Sequence, residues 1–260
     1  MKLFRTDLYR SICTPRFWVL TFCFTAAIVF SCMDMIRPTL SGGAETGTVD
    51  LLTYMLTMDK FKVLMVILVS AICANSFCED QNHRYLRAIL TRTDLLHYSI
   101  SRFAANETAV LLSCILAFFL FSGLALAPGF SLSAGSFTDY YYTMAERQPA
   151  LYTLMMALQF GAVCACCSSF GLLLSAFQPN AFVSTGIGGL TFFCAVSYIP
   201  NRSMFSILRI ITMNPVLPLG NETPQWLSFL WGMMVPLAVT ALCMWGFYRR
   251  LEWRQENGRL

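Results

Sequence analysis

The sequence predicts an all-α polytopic membrane protein, one transmembrane domain over residues 1–260 with six transmembrane helices. Three observations lead there. Only 12% of the residues are charged and mean hydropathy is +0.59, against about 25% charge in an ordinary soluble domain. Six apolar segments reach the roughly 17–25 residues that a bilayer crossing needs. The basic residues gather in alternate connections between those segments.

The segments fall at about 17–36, 61–78, 103–127, 151–177, 181–199 and 226–248. Before the first, Leu3, Phe4, Leu8 and Ile12 share one helical face, while Lys2, Arg5, Asp7 and Arg10 fall elsewhere. That pattern fits an interfacial amphipathic helix, and it equally fits a basic flank obeying the positive-inside rule. Pro15 separates it from the first span. Val29-Phe30-Ser31-Cys32 faintly resembles a lipoprotein cleavage site, but the basic region is long and five more apolar segments follow, so no cleavage is expected.

The second segment is the shortest, and the third and fourth are long enough to tilt. Gln178-Pro179-Asn180 leaves so short a turn that the fourth and fifth spans must form a tight antiparallel pair. The stretches 37–60, 129–150 and 200–225 read as polar loops. Phe137-Thr138-Asp139-Tyr140-Tyr141-Tyr142 reads as an interfacial aromatic belt. Residues 202–213 are apolar but too short to cross, and Pro215, Pro218 and Pro224 break regular structure after them.

Twelve of the 18 Lys and Arg residues lie on one side: Lys2, Arg5, Arg10, Arg16, Arg84, Arg87, Arg92, Arg102, Arg249, Arg250, Arg254 and Arg259. The positive-inside rule makes that side cytoplasmic, with both termini on it. The expected location is the plasma membrane of a bacterial cell, as a multi-pass protein in the lipid bilayer.

The 11 cysteines fall almost entirely inside apolar segments, which reads as packing and not as a disulfide framework. Cys164-Ala165-Cys166-Cys167 lies among Ala162, Ser168, Ser169 and Gly171, a small-residue strip suited to close helix contact. Neighbours one or two apart on a helix face different ways, which disfavours a soft-metal site there.

Several chemistries lack their parts. None of Lys2, Lys60 or Lys62 sits in a phosphate-binding loop, so the chain is expected to have no ATPase site and no enzymatic activity of its own. Both histidines, His83 and His97, lie between the second and third segments, so an intramembrane hydrolase has no base. No basic surface interleaved with aromatics suggests nucleic acid.

Within the spans the clear charge is Glu107, beside Asn106. An intramembrane carboxylate is a functional candidate by default. Glu107 lies near the cytoplasmic end, where a structural ion pair with Arg102 or Arg84 is the expected arrangement. Its rival role is coupling carboxylate of an ion-driven secondary transporter.

Charge concentrates between spans two and three: Glu79, Asp80, Arg84, Arg87, Arg92 and Asp94. Leu86, Ile89 and Leu90 form an i, i+3, i+4 apolar stripe among these charges, which predicts a short amphipathic helix. A break follows at Thr91–Asp94, where Thr93 or Asp94 can cap the third span. A solvated basic loop needs no such stripe; a stripe wants a groove or a lipid surface.

Here the chain resembles the type-2 ABC exporter permeases. The resemblance rests on layout and on Phe77, Glu79, Arg84, Ile89, Leu90, Thr91, Arg92 and Arg102. That family often has Gly after the Glu and Pro before the Arg; here Asn82 or His83 and Thr91 stand near those places. The resemblance implies that the segment between spans two and three is a cytoplasmic coupling helix docked on a separate ABC ATPase subunit. It assigns the docking to Glu79, Arg84, Arg87, Leu90 and Arg92, with Leu86 and Ile89 supporting the helix. It implies a second permease chain, identical or paralogous, and no cofactor on this chain, ATP and Mg being held by the ATPase. The expected function is export of an amphipathic substrate: an antimicrobial peptide, a lipid or a drug. A non-transporting membrane scaffold is the other alternative.

Overall fold

The computed structural model describes residues 2–40, 47–58, 61–82, 85–91, 93–127, 129–131, 148–198 and 225–257. The regular secondary structure among these residues is helical, with no strand. In chain order the helices are α1 (Lys2–Ile12), α2 (Pro15–Leu40), α3 (Thr48–Met58), α4 (Lys62–Ser70) and α5 (Ser76–Asn82). They continue as α6 (Tyr85–Leu90), α7 (Leu95–Leu126), α8 (Pro149–Ser175), α9 (Ala181–Tyr198) and α10 (Gln225–Glu256).

Three stretches among the described residues are long and apolar enough to cross a membrane: Pro15–Arg37, Leu95–Leu126 and Pro149–Ser175. They match the first, third and fourth predicted spans, and α7 begins eight residues before the predicted start at 103. α9 is apolar but shorter over Ala181–Ala195. α10 covers the sixth predicted span and carries Pro236 inside it.

Two expectations are corrected. The second span, predicted as continuous over 61–78, is broken: α4 has 9 residues, rising only about 14 Å at 1.5 Å per residue. A run of turns at 71–75 then leads into α5. Polar side chains tie the break to α2 and α9. Arg16 donates to Ala71 O. The Asn75 amide, with nitrogen toward Ser184, donates to Ser184 Oγ at 2.6 Å and Ala181 O at 2.7 Å and accepts from Arg16 at 3.0 Å. The break is tolerable because the turn keeps its own backbone bonds, Ala71 N–H to Ile67 O, Ile72 N–H to Val69 O and Ala74 N–H to Ser70 O, and Arg16 takes the Ala71 carbonyl.

The second correction concerns 37–60, which is not wholly a polar loop. α3 lies within it, and Val49, Leu51, Leu52, Met55 and Leu56 are buried in the core. Asp50 accepts the Gly47 N–H at 3.0 Å, a short-range cap before the helix. The belt at 137–142, the segment 202–213 and Pro215, Pro218 and Pro224 lie outside the described residues.

α8 is the hub, packing on α7, α9 and α10 and touching α3, α4 and α5. Its partners alternate in direction. Asn106 pairs with Ser168 and Phe118 with Phe160, so α7 and α8 are antiparallel. Thr21 pairs with Ser113 and Phe24 with Phe118, so α2 and α7 are parallel. The α8–α9 connection is short, and Asn180 Oδ1 accepts the Phe182 N–H at 3.0 Å, which starts α9. This is the tight antiparallel pair the sequence predicts.

Small residues set the spacing. A Cβ on Gly188 of α9 would stand 2.8 Å from Ser70 Oγ of α4, and one on Gly161 of α8 would stand 2.9 Å from Leu111 Cδ2 of α7. Helices meeting that closely maximise dispersion contact where lipid supplies no hydrophobic drive. Cys164, Ala165, Cys166 and Cys167 are buried on α8 in the same strip, and all 11 cysteines are free thiols.

Two apolar clusters result. The larger centres on the rings of Phe24, Phe118 and Phe160, with centroids 6.0–6.4 Å apart. The smaller joins Phe77, Leu86, Tyr98, Phe103, Phe247 and Leu251. In it Phe247 meets Phe77 at 5.2 Å and Phe103 at 5.5 Å. Because Leu3 also packs on it, both termini come to one end of the bundle.

Candidate functional site

Two groups of polar residues stand out, one at the terminal end of the bundle and one inside it. The first is built on Asp80 of α5. Its side chain is fully buried and is held from three sides. The Arg102 guanidinium of α7 pairs with Asp80 Oδ2, Arg10 of α1 reaches Oδ1 at 3.2 Å, and the Tyr98 hydroxyl donates at 3.1 Å. Arg102 also lies 3.5 Å from Asp7 of α1, and Ser101 Oγ donates to the same carboxylate at 2.7 Å. A buried charge is tolerable only when paired and hydrogen-bonded, and here two carboxylates share one buried guanidinium.

Glu79 lies beside this network but is half exposed. It accepts from Arg16 of α2 at 3.0 Å. Asp80 and Glu79 therefore reach in different directions, one to α1 and α7, the other to α2.

α6 follows. Leu86 is buried in the protein's own smaller cluster, and Ile89 packs against it. Leu86 and Ile89 of the stripe thus pack within the same chain, in the cluster that holds Phe77, Tyr98, Phe103 and Phe247. Tyr85 stays exposed, with Arg10 5.9 Å from its ring centre. Arg87 and Leu90 lie on the α6 backbone, their side chains outside the described set, and Arg84 and Arg92 lie outside the described residues. Asp94 occupies the N-cap of α7 without a side-chain cap bond; its carboxylate sits 3.6 Å from His97.

The second group lies on α7, α8 and α10. Glu107 accepts from Ser169 Oγ and from Thr240 Oγ1, both at 3.1 Å. Asn106 Oδ1 accepts from Ser168 Oγ at 2.7 Å, and its buried Nδ2 has no hydrogen-bond partner among the described residues. Of the two expected ion-pair partners of Glu107, Arg102 does not pair with it and Arg84 lies outside the described residues. Arg102 is five residues away, which on a helix of 3.6 residues per turn points it about 140° around the axis. It goes to Asp7 and Asp80 instead, and hydroxyls of neighbouring helices take its place at Glu107.

An apolar cavity of about 350 Å³ opens between α8, α9 and α10, lined by Val163, Cys166, Cys167, Cys194, Pro236 and Val239 among others; Glu107 does not line it. Among the described residues no group of three or more His, Cys, Asp or Glu is arranged to hold a metal ion.

The sequence reading missed Asp7 and Asp80 as network members. Asp7 was placed off the apolar face, and its burial depends on Arg102, 95 residues downstream. The signal available was three arginines and three carboxylates close to predicted membrane ends, where unpaired charge is costly.

No protein-family model matches this chain, and neither a curated protein nor a solved structure matches it.

Proposed function

We propose that this chain is the membrane-spanning permease subunit of an ATP-driven exporter, of the type-2 ABC kind. The observation that supports it most is the bracing of Asp80: Arg102 ties it to α7, and Arg10 ties it to α1. A segment between the second and third predicted spans that must pass force into the bundle needs such stiff attachment. α5 and α6 are the coupling elements in this reading, with Glu79 and, as the sequence assigns them, Arg84, Arg87, Leu90 and Arg92 in the docking. A separate ABC ATPase subunit binds that face and holds ATP and Mg, and a second permease chain completes the translocation path. This chain is a transport subunit and performs no hydrolysis itself. The substrate class is amphipathic (a peptide, lipid or hydrophobic drug), since the helices present mostly apolar surface.

The test is a mild-detergent pull-down of the chain from its native bacterial membranes, assayed for a co-purifying nucleotide-binding protein and for ATP hydrolysis. Arg87→Glu should lower that association without unfolding the chain. A second reading rests on Glu107, a half-buried carboxylate whose partners among the described residues are hydroxyls and not a cation. Transport that survives ATP depletion, collapses with the ion gradient and is lost in Glu107→Gln would replace the exporter by an ion-coupled carrier.

A further inference from the structure

Arg250 of α10 stands where two predicted spans end, the fourth at about 177 and the sixth at about 248. Phe177, from the α8–α9 turn, and Trp253, nearly one turn further along α10, both lie against it. The Arg250 guanidinium carbon is 4.6 Å from the centre of the Phe177 ring and 4.3 Å from that of the Trp253 ring. Both rings are exposed, and so is Trp245. The two tryptophans stand about 12 Å apart along the helix, with Arg250 between them. Exposed tryptophans at the ends of spans settle at the headgroup level of a bilayer. Arg250 lies about 3 Å beyond the predicted apolar end, within a headgroup layer of about 5–7 Å per leaflet.

A second observation points to a ligand. Arg250 makes no ion pair and no hydrogen bond among the described residues. Its Nε is buried, but its two terminal nitrogens keep accessible surface. The carboxylates of α10 do not answer it. Glu252 accepts from Arg249 at 3.1 Å and from the Tyr248 hydroxyl at 3.0 Å, and Glu256 is exposed and makes no ion pair among the described residues. Stacked rings meet only the faces of a guanidinium, whereas its N–H bonds lie in the plane and need acceptors. The group is therefore charged and oriented by two rings, with its outer donors unmet by the protein.

We infer that Arg250, held by Phe177 and Trp253, binds the phosphodiester of an anionic phospholipid in the leaflet at this end of the bundle. The terminal nitrogens present paired donors that match two phosphate oxygens. The exposed rings offer apolar surface to the glycerol and the start of the acyl chains. No free carboxylate of α10 pairs there to receive a choline or ethanolamine ammonium, so a headgroup of net negative charge is favoured. Bound lipid would tie the α8–α9 turn to α10 at the membrane surface. The inference rests on the chain lying in a bilayer and not on the exporter reading.

The test is native mass spectrometry of the full chain from neutral detergent micelles doped with phosphatidylglycerol or, as control, phosphatidylcholine. A saturable phosphatidylglycerol adduct that phosphatidylcholine does not match is expected. Arg250→Gln should raise the half-saturating lipid fraction about tenfold, as the loss of one charge-assisted hydrogen bond would. Phe177→Leu, which keeps the charge but removes a ring, should weaken the adduct in the same direction. Arg249→Gln removes a neighbouring charge already held by Glu252 and should change half-saturation by less than about twofold. Circular dichroism checks that each variant is folded; if Arg250→Gln is not, Arg250→Lys, which keeps the charge and loses the planar fork, takes its place and should also weaken binding. The inference is overturned if phosphatidylcholine binds as well as phosphatidylglycerol, if the adduct persists undiminished in the Arg250 and Phe177 variants, or if Arg249→Gln weakens it as much as Arg250→Gln. It is also overturned, in favour of a second copy of the chain as occupant, if Arg250→Gln converts dimers to monomers with lipid adducts unchanged.

Discussion

The Asp7 carboxylate of α1 lies 3.5 Å from the Arg102 guanidinium of α7, and both side chains are buried, at 2% and 4% exposed. An interfacial helix held only by lipid would have no such anchor. α1 is fastened to the bundle by a charge pair that water hardly screens. Removing one member of a buried pair leaves the other unpaired, at a cost of about 3–5 kcal/mol. Arg102→Gln should destabilise the chain by about that amount, since it strands both Asp7 and Asp80. Chemical denaturation in detergent measures it, and a double-mutant cycle with Asp7→Asn should show strong coupling. Additive losses would mean the pair does not contribute as a pair.

Gly188 of α9 is fitted against Ser70 of α4, with 2.8 Å left for a Cβ. Gly188→Leu should overpack this contact and lower stability by about 1–3 kcal/mol. At Gly186, two residues earlier, a Cβ would meet nothing within 4 Å. Gly186→Leu should be close to neutral in the same melting assay. Equal effects at the two positions would show that helix propensity, and not close approach, governs both.

Phe118 is fully buried between Phe24 and Phe160. Truncation to alanine removes the middle of a three-helix contact and should cost about 3–5 kcal/mol. The loss should appear as a lower denaturation midpoint with an unchanged helical spectrum before the transition. A shift of less than about 1 kcal/mol would imply that α2 and α7 close up over the gap.

Cys13, in the α1–α2 connection, is exposed, at the end of the bundle that holds both termini. The positive-inside reading makes that end cytoplasmic. A membrane-impermeant maleimide should therefore label Cys13 in inside-out vesicles and spare it in right-side-out ones, with Cys13→Ser as control. The reverse pattern would invert the topology and remove the docking face from the reach of any cytoplasmic ATPase.

Glu107 tests the two transport readings. Glu107→Gln keeps a group able to accept from Ser169 and Thr240 and should leave folding intact. The exporter reading expects ATP-dependent transport to continue at a similar rate. Abolished transport with a normally folded chain would move the mechanism to that carboxylate.

What the sequence by itself determined is the helical class and the positions of α2, α7 and α8, though α7 starts eight residues earlier than its apolar run. Each is a long uninterrupted apolar run, and such a run has one low-energy structure in lipid because the backbone must satisfy its own hydrogen bonds. The short turn at 178–180 likewise dictated an antiparallel pair locally. The stripe at Leu86 and Ile89 was legible as a helix, but not its partner, which proved to be Phe77, Tyr98 and Phe247 of the same chain. α3 was hidden by its polar flanks, although Leu51, Leu52, Met55 and Leu56 carry a helical spacing. Only the tertiary structure decided which charges meet. Asp7, Asp80 and Arg102 are far apart in sequence, and any of several arginines could have answered either carboxylate. The choice was made by helix rotation: Arg102 and Glu107 leave α7 about 140° apart, so one faces α1 and α5 and the other faces α8 and α10. Local patterning fixes where a helix lies along the chain, but the angle it presents to its neighbours comes from packing the whole bundle.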